Sequence, residues 1–498
     1  MTSGQRISFK HQRVSYLLLA AIVVLTLVFA CHLLLSEGSV EPPNVLLITI
    51  DALRADRLGC YGYRLDTSPN IDRLSQRGVL FADCTVQWPK TWPSMASLIS
   101  GMYPKATGVR INQRVLPSSL YVMSEIFGQA GYRTGAVTAN FNIGRKFGFD
   151  RGFDYFVESW QDMWKQQEGD IPFHNRPGKV KFFTNATIVT DQALKWLNEN
   201  RKNPKPFFLW LHYMDTHGPY VPPQSYDKYF QNAYKSEPAP LRKLPPYQLH
   251  KDTETGHTIT DIGFYRAKYD REIRFLDDEL GRLFKKIRKL GANRKTIIIF
   301  TADHGESFGE HNYYLEHGRF PYQACAHVPL IIIKDGILPK GKRIEKPVGL
   351  IDVSATILEL AGIEVPATFE GQSLVGMMLG EKNATAPEYV FMESGYDPNF
   401  PQLTVRYGRW KLIHVQSQSD LAAMAGTKHE LYDVYKDSAE VNNLIDQEPN
   451  IAAHLSEVLH KWYASGPRYE EKGTETKIDI ETFDPKVIEM LKSLGYVK

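Results

Sequence analysis

Apolar and polar positions alternate along the chain in blocks: short continuous apolar runs are separated by longer segments with helical spacing. Such runs are typical of strands buried on both faces of a parallel sheet. The runs are Asn44–Ile50, Gly135–Thr138, Phe207–His212, Thr296–Phe300 and Val328–Ile333. Between them, Thr187–Glu199 and Tyr265–Lys289 carry apolar residues three and four positions apart, which predicts amphipathic helices. The alternation predicts an α/β sandwich, with a large mostly parallel sheet between helices and functional residues at the carboxyl ends of strands.

The pattern changes after about residue 380. Tyr389–Met392, Leu403–Arg406 and Trp410–Val415 are short runs typical of antiparallel strands, and Asn450–Ala464 has helical spacing. We therefore predict a large catalytic domain at 44–380 and a smaller C-terminal α+β subdomain at 381–498.

The N-terminal segment 15–36 contains no charged residue and suits a membrane-spanning helix, which needs roughly 20 apolar residues. Basic residues up to Arg13 precede it, and Glu37 follows. The positive-inside rule then predicts a cytoplasmic N-terminus at 1–14 and a single-pass transmembrane anchor at 15–36. The remainder would lie on the periplasmic or extracellular side of the inner or plasma membrane. A cleaved signal peptide and a lipoprotein modified at Cys31 remain alternatives.

Composition excludes some classes of function. The 498 residues have a formal net charge of +3 and no basic tract with interleaved aromatic residues, so nucleic acid is not an expected partner. The four cysteines (Cys31, Cys60, Cys84 and Cys325) form no CxxC pair. A disulfide framework and a cysteine-based zinc site are therefore not expected, and at most one pair could form a bridge.

Acidic and imidazole side chains follow two of the predicted strands. Asp51 comes directly after the first strand, and Asp303-His304 follows Thr296–Phe300 closely. Taken alone, Asp51 could be a helix-capping carboxylate, and Asp303-His304 could be a loop with a capping aspartate and a solvated histidine. Together, two carboxylates and an imidazole at strand ends predict a site for a divalent cation.

Thr91 offers a hydroxyl just before a predicted helix. Pro93 suits the first helical turn, Met95–Ile99 suits the helix, and Gly101 suits its end. Thr91 would face the positive end of the helix dipole, where an alkoxide or a transferred oxyanion is stabilised. In isolation a capping threonine is the more ordinary interpretation. Its place in the chain between Asp51 and Asp303-His304 favours a nucleophile.

Two polar stretches, Gln161–Lys181 and Gln231–Thr258, have no clear periodicity. Pro238, Pro240 and a Pro-Pro pair interrupt the second. We predict loops near the mouth of the site that would largely set the substrate.

Nine segments carry a resemblance to a known family. They are Asn44–Asp51, Arg54–Gly62, Ser68–Phe81, Pro93–Pro104, Thr301–His311, His327–Ile332, Gly349–Gly362, Glu430–Asp437 and Leu494–Val497. In order and in spacing they resemble the sulfatase family from about residue 44 to the end of the chain. The resemblance implies the fold of the alkaline phosphatase superfamily.

The resemblance also implies roles for particular residues. The positions that match ligands of a divalent cation (Mn²⁺, Ca²⁺, Mg²⁺ or Zn²⁺) are Asp51, Thr91, Asp303 and His304. Thr91 matches the nucleophile, His217 a histidine that contacts the transferred group or leaving oxygen, and His317 a basic substrate-binding residue.

Other residues are weaker candidates. A second metal ion would need further ligands, and Asp215 and His217 are the candidates for these. For His212 we favour a core histidine in a strand.

The chain departs from the usual sulfatase pattern at three positions. Most sulfatases mature a Cys or Ser to formylglycine within Cys-x-Pro-x-Arg, whereas this chain has Thr91 and, at the Arg position, Met95. Ala52 stands where the second carboxylate of the usual Asp-Asp pair is expected. Threonine cannot form the aldehyde, so these departures argue against a formylglycine sulfatase.

Threonine chemistry ranks the remaining functions. A formylglycine hydrate expels sulfate by collapsing to the aldehyde, and sulfo-threonine has no such exit. Phospho-threonine can be attacked at phosphorus by water or an alcohol. We therefore predict a hydrolase or transferase acting on a small-molecule, lipid or glycan ester through covalent Thr91, with phosphoric esters preferred over sulfuric ones. The alternatives are an inactive binding or regulatory member of the family and a sulfuric ester hydrolase with an unfamiliar hydroxyl route.

Overall fold

The computed structural model describes a set of ranges with gaps between them. They are residues 41–110, 114–160, 186–231, 233–234, 244–245, 248–251, 255–290, 296–382, 384, 387–397, 401–415, 429–469, 485 and 488. Within these ranges, no helix combines the length and apolarity needed to cross a bilayer. The anchor predicted at 15–36 lies outside the described residues, as does the loop Gln161–Lys181.

The larger sheet has nine strands. They are β1 (Asn44–Ile50), β2 (Val79–Thr85), β3 (Arg133–Thr138), β4 (Tyr155–Glu158), β5 (Phe207–Tyr213), β6 (Thr296–Ala302), β7 (His327–Lys334), β8 (Lys342–Ile344) and β9 (Val348–Gly349). Their spatial order is β4-β3-β5-β1-β6-β7-β2-β8, with β9 also paired to β2. All five apolar runs identified in the sequence are strands of this sheet. The predicted large, mostly parallel sheet is confirmed.

The direction of one predicted strand is different from the expectation. Val328–Ile333 lies in β7, which runs antiparallel to both of its neighbours, β6 and β2. A continuous apolar run reports burial on both faces of a sheet and carries no information on strand direction. The segment between β6 and β7 contains only short helical turns, so the chain reverses there without the crossover helix that a parallel connection uses.

Helices cover the sheet. Those in the described residues are α1 (Pro69–Ser75), α2 (Thr91–Ser100), α3 (Pro104–Thr107), α4 (Met123–Gln129), α5 (Ala186–Glu199), α6 (Ile262–Lys289), α7 (Gln323–Ala326), α8 (Asp352–Ala361), α9 (Val375–Leu379) and α10 (Pro449–Ala464). The two helices predicted between the strands are α5 and α6. The latter begins three residues before the predicted start, where the Asp261 side chain accepts a hydrogen bond from Gly263 N (2.8 Å).

A second, antiparallel sheet forms the C-terminal part. Its strands are β10 (Val390–Ser394), β11 (Gln402–Tyr407), β12 (Trp410–His414) and β13 (His429–Asp433). Leu455 and Leu459 of α10 are fully buried against leucine and valine side chains of this sheet. The three predicted strands and the helix are therefore confirmed, whereas β13 was not expected. The boundary between 380 and 381 stays a prediction.

Strand order brings the predicted site residues together. β1 lies between β5 and β6, and both neighbours run parallel to it. The carboxyl ends of these three strands therefore meet at one edge, which is where functional groups collect in parallel sheets. Asp51 follows β1, His212 is near the end of β5, and Asp303 follows β6.

Candidate active site

The backbone fixes Asp51 and Asp303 side by side. Asp51 N donates to Tyr213 O (2.8 Å), and Asp303 N donates to Ile50 O (3.2 Å). Both residues are fully buried. The ladder of the sheet thus continues through both residues and leaves their carboxyl groups little freedom.

Three buried polar atoms at this edge have no hydrogen-bond partner. They are Asp51 Oδ1, Asp303 Oδ2 and His212 Nε2. Potential ligand atoms of the same three residues lie within 4.8 Å of one another. An unsatisfied buried polar group costs about 1–3 kcal/mol. Two carboxylates and an imidazole are suitable donors for a divalent cation, so these residues fit the metal that the sequence predicted.

His212 belongs to this group, although the sequence favoured a core histidine. Thr49 Oγ1 lies 2.9 Å from His212 Nδ1, and Trp210 Nε1 donates to the same hydroxyl (2.9 Å). His212 Nε2 lies 3.6 Å from Asp51 Oδ2. The apolar strand pattern hid this residue, because a buried histidine near the end of a strand looks the same in sequence whether or not it faces a site.

Asp51, His212 and Asp303 form a cluster of potential ligands. His304 presents one nitrogen to this cluster. Its Nδ1 lies 2.8 Å from Gly305 O, which can only accept, so Nδ1 carries the proton and Nε2 keeps its lone pair in the neutral ring. Nε2 lies 3.5 Å from Asp51 Oδ1 and 3.6 Å from Asp303 Oδ2. Burial, and then the neighbouring His317, hold the pKa of His304 well below its usual value. Neutral Nε2 is the form that can bind a metal ion.

Thr91 is the first residue of α2 and is almost fully buried. Its Oγ1 lies 3.2 Å from His304 Nε2. Ser94, one turn on, donates from Oγ to Asp303 O (2.6 Å) and so fastens the start of the helix to the strand end. The structure therefore brings together Asp51, Thr91, Asp303 and His304, the four predicted ligands. Their roles stay predictions.

The two carboxyl groups have opposite pKa shifts. For Asp51, burial favours the neutral form, but His217, His212 and His304 outweigh it and hold the pKa well below the usual range. For Asp303, burial and then the charge of Asp51 raise the pKa well above the usual range. The site without a cation therefore favours one negative charge over two.

Asn140 and Ala52 contact the carboxyl groups. Asn140 follows β3 closely and donates from Nδ2 to Asp51 Oδ2 (2.6 Å). Ala52 N donates to Asp303 Oδ1 (3.1 Å), and Ala52 has a positive φ of 58°. A non-glycine residue in this conformation is strained, and such strain is concentrated at functional sites. Asn140 was missed in the sequence, where its only signal is its position just beyond a strand.

His217 and His317 lie beside the cluster, and their roles stay predictions. His217 Nδ1 lies 2.7 Å from Gly218 O. The ring of His317 stacks on that of His304 with 4.1 Å between centroids, and its centroid is 5.1 Å from that of His217. Both histidines therefore border the space next to Thr91 and His304.

Glu306 holds His317 and was also missed in the sequence. Its Oε1 lies 3.3 Å from His317 Nδ1, and Tyr220 donates its hydroxyl proton to Oε2 (3.1 Å). Burial raises the pKa of Glu306 to about 8, against the opposing effect of His217. Burial, followed by His217, lowers the pKa of His317. Both shifts favour the neutral forms of the two side chains, and Glu306 orients the ring.

Asp215 is not part of this cluster. Its Oδ1 accepts a hydrogen bond from Ala186 N (2.7 Å), the first residue of α5. Among the described residues, the group of potential ligands that lie close enough to one another is Asp51, His212 and Asp303. A second cation held by Asp215 and His217 therefore finds no support.

Described parts of the second polar stretch reach the site. Gln248 is fully buried, and its Nε2 donates to Leu315 O (3.3 Å). A Cβ on Gly218 would lie 1.7 Å from that same nitrogen, so Gln248 packs directly on the residue after His217. The described cysteines Cys60, Cys84 and Cys325 are all free.

Comparisons with known proteins agree with this geometry. The sulfatase family model matches residues 43–363, and the model of the N-sulphoglucosamine sulphohydrolase C-terminal region matches residues 309–464. An arylsulfatase of Clostridium perfringens is 27% identical over 82% of this chain and 91% of its own length. N-acetylglucosamine-6-O-sulfatase of Bacteroides thetaiotaomicron is 25% identical over 81% of this chain and 82% of its own.

The fold is also that of a solved phosphonate monoester hydrolase from Silicibacter pomeroyi, with a TM-score of 0.69 and 22% identity over 85% of this chain and 96% of the other. The sulfatase match runs from β1 through α2 and β6, so it includes every element that supplies the cluster. The chain belongs to the sulfatase family, within the alkaline phosphatase superfamily.

Proposed function

We propose that this protein is a metal-dependent hydrolase or transferase of phosphoric esters in which Thr91 is the covalent nucleophile. The observation that carries the proposal is the position of the Thr91 hydroxyl, 3.2 Å from His304 Nε2 at the start of α2. A capping threonine would need no contact with His304. Buried polar atoms without partners in Asp51, His212 and Asp303 lie beside it.

A divalent cation fits the donors that the chain provides. Asp51, His212, Asp303 and His304 would hold it. When bound, such a cation lowers the pKa of a hydroxyl nucleophile and neutralises charge on the oxygens of the ester.

The residues of the chain account for the rest of the reaction. Thr91 Oγ1 forms a bond to phosphorus, and the bond from phosphorus to the alcohol oxygen breaks. His217 or His317, which border the site, takes up the hydroxyl proton of Thr91 and then gives a proton to the leaving oxygen. Water or a second alcohol then attacks phosphorus and gives its proton to the same histidine, the bond to Oγ1 breaks, and Oγ1 takes that proton, which restores Thr91. The choice of second acceptor separates hydrolysis from transfer.

Sulfuric ester hydrolysis is the second candidate. The names of the arylsulfatase and of N-acetylglucosamine-6-O-sulfatase favour it. The identity of Thr91 argues against it, because a sulfated threonine cannot expel sulfate by collapsing to an aldehyde. The fold likeness to a phosphonate monoester hydrolase is compatible with attack at phosphorus.

An assay on four substrates separates these functions. The full-length chain, treated with a chelator and then supplied with Mn²⁺, Zn²⁺, Mg²⁺ or Ca²⁺, is tested on nitrophenyl phosphate, a nitrophenyl phosphodiester, a nitrophenyl phosphonate and nitrophenyl sulfate. We expect cation-dependent turnover at phosphorus and its loss in Thr91→Ala. Preference for the sulfate would favour the second candidate. Silence on all substrates with bound metal would favour an inactive binding member of the family.

We also propose that the catalytic domain lies outside the cytoplasm, held by the segment 15–36. The uncharged apolar composition of that segment and the basic residues before it support this topology. A protease added to intact spheroplasts would then digest the domain, and protection of the domain in intact spheroplasts would contradict the proposal.

A further inference from the structure

Basic side chains collect at the end of the larger sheet where β1, β5 and β6 begin. They lie in two described segments, one between α5 and β5 and the other at the end of α6. Six of them are exposed and one is half-buried, and the segments 198–205 and 285–290 contain a single acidic residue, Glu199. We call the seven residues the basic edge: Arg201, Lys202, Lys205, Lys285, Lys286, Arg288 and Lys289.

Hydrogen bonds join the two segments into one surface. Lys286 Nζ donates to Asn198 Oδ1 (3.4 Å), which links the end of α6 to the end of α5. Arg201 Nη1 donates to Asn198 O (2.8 Å). Phe207 N, at the start of β5, donates to Asn44 Oδ1 (3.1 Å). The basic edge therefore adjoins the first residue of β1.

Carboxylates do not balance the charge of the basic edge. One turn earlier on α6, Arg282 forms ion pairs with Asp191 and Glu279. In the part of the chain that the structure describes, none of the seven basic side chains forms an ion pair of this kind. A block of like charges repels itself and attracts a polyanion. This surface is therefore suited to an anionic partner.

Chain connectivity keeps the basic edge within reach of the anchor proposed at 15–36. The segment 37–43 joins that anchor to Asn44, and such a segment spans at most about 25 Å. Strand β1 then leads away from this edge and rises by roughly 23 Å over its length, with Asp51 directly after its last residue. The basic edge and the site with Thr91 thus lie at opposite ends of β1.

We propose that the basic edge binds the anionic head groups of the phospholipid bilayer in which 15–36 anchors the chain. Basic side chains close to an anionic membrane surface are attracted to it, within about one Debye length. Several of them on one face would fix the orientation of the domain, with Asp51 and Thr91 facing away from the bilayer. The substrate would then be a soluble or glycan-borne ester and not a lipid of the same membrane. This inference rests on the topology proposed above, because the anchor brings the basic edge to the bilayer.

Lysine labelling of the full-length chain tests the inference. The chain is reconstituted in vesicles of phosphatidylcholine, with or without anionic phosphatidylglycerol. A membrane-impermeant reagent acetylates the lysines of outward-facing domains, and mass spectrometry gives the rate at each lysine. With phosphatidylglycerol, the rates at four reporters should be about fivefold lower, the factor that one basic residue near an anionic surface adds to binding. These reporters are Lys202, Lys205, Lys285 and Lys289.

Lys251 is the matched control lysine. It is exposed, and the neighbouring His250 N donates to Tyr265 Oη (3.3 Å) near the start of α6. The helix extends about 42 Å from there to the basic edge. The rate at Lys251 should be the same in both kinds of vesicle. Salt at about 1 M should restore the rates at the four reporters, because it shortens the Debye length to about 3 Å.

Charge reversal locates the effect and leaves every reporter lysine in place. Arg201→Glu/Arg288→Glu should remove most of the protection by phosphatidylglycerol. The control is Arg64→Glu/Lys436→Glu, which makes the same change in net charge at two exposed residues outside the basic edge. The control should keep the protection.

Equal rates in the two kinds of vesicle, or protection that persists in Arg201→Glu/Arg288→Glu, would overturn the inference. Protection by soluble polyphosphate and none by anionic vesicles would overturn it in favour of a soluble polyanion. Failure of the anchor would show differently, because the chain would not float with vesicles of phosphatidylcholine alone. Protection by phosphatidylglycerol would then still support binding of anionic lipid by the basic edge, and its absence would overturn that binding.

Discussion

At the scale of single residues, the site is distinguished by buried side-chain atoms that have no hydrogen-bond partner. Thr49, Asn140 and Glu306 each make a hydrogen bond that fixes a neighbouring side chain, whereas Asp51 Oδ1 and Asp303 Oδ2 make none. Side chains held by hydrogen bonds around carboxylate oxygens that have no partner suit the ligands of a divalent cation.

Thr49 should affect metal binding through His212. Thr49→Val keeps the shape of the side chain but removes the partner of His212 Nδ1. Loss of such an outer partner costs about 10- to 100-fold in metal affinity. We expect that loss in a metal titration. Thr404→Val, a buried threonine in the C-terminal sheet, is the control and should leave the affinity as it is. Equal affinities for wild type and Thr49→Val would exclude His212 as a ligand.

Asp303 should govern part of the pH dependence of stability. Burial and Asp51 raise its pKa above 3.8 in the folded chain. The folded state then binds the proton more tightly, so the contribution of this proton is complete below pH 3.8 and is lost as the pH rises through the raised value. Asp303→Asn removes that loss.

The measurement is thermal unfolding of the metal-free chain. The Tm of Asp303→Asn minus that of wild type should increase as the pH rises above about 4. A difference that stays constant with pH would contradict the raised pKa. With the cation present, the Tm of Asp303→Asn should be below that of wild type, because the variant has lost a ligand of the cation.

At the scale of elements, the sequence predicted burial better than direction or contact. Continuous apolar runs located β1, β5 and β6, and hence the edge where Asp51 and Asp303 meet. The same apolar pattern did not give the direction of β7, and it did not distinguish His212 from a core histidine. The direction of a strand and the surroundings of a side chain both depend on which distant segments pair with it. Asn140 and Glu306 were missed for a related reason. Each acts through a neighbour that only the fold supplies.

Helix α2 carries Thr91, the proposed nucleophile, and the end of this helix is closely packed. Gly101 has a φ of 63°, and a Cβ there would lie 2.3 Å from the Phe369 ring. Gly362, at the end of α8, has a φ of 74° and open space around a Cβ. Both glycines adopt the left-handed conformation, for which an alanine costs about 1–2 kcal/mol.

Gly101→Ala should therefore cost more than Gly362→Ala. We expect the free energy of unfolding to fall by about 1–3 kcal/mol more, the usual cost of overpacking. Chemical denaturation of both variants measures this difference. Equal losses in the free energy of unfolding would show that Phe369 moves aside freely. The close packing at Gly101 would then not help to fix α2 in place.

At the scale of the whole molecule, one buried ion pair joins the two sheets, and a second one lies within the C-terminal part next to the larger sheet. Arg406 of β11 pairs with Asp83 of β2. Lys411 of β12 pairs with Glu440 (2.6 Å) and donates to Pro321 O (2.6 Å) in the loop after His317. The C-terminal sheet thus supports the loop that follows His317 and borders the site.

Lys411→Met should test this junction. Removing one partner of a buried ion pair costs about 3–5 kcal/mol, because the other charge is left uncompensated. We expect that loss in the free energy of unfolding, with recovery of a large part of it in Lys411→Met/Glu440→Gln. An equal loss in the free energy of unfolding in both variants would show that the uncompensated charge of Glu440 is not the cause of the loss.

In the proposed reaction, a threonine in a sulfatase-family site forms a covalent intermediate at phosphorus. Its most direct test is mass spectrometry of the full-length, metal-loaded enzyme, quenched in acid during turnover of a nitrophenyl phosphate. We expect a phosphoryl group on the peptide that contains Thr91, and none on the same peptide of Thr91→Ala. Rapid turnover with Thr91 unmodified, or turnover that survives Thr91→Ala, would contradict it.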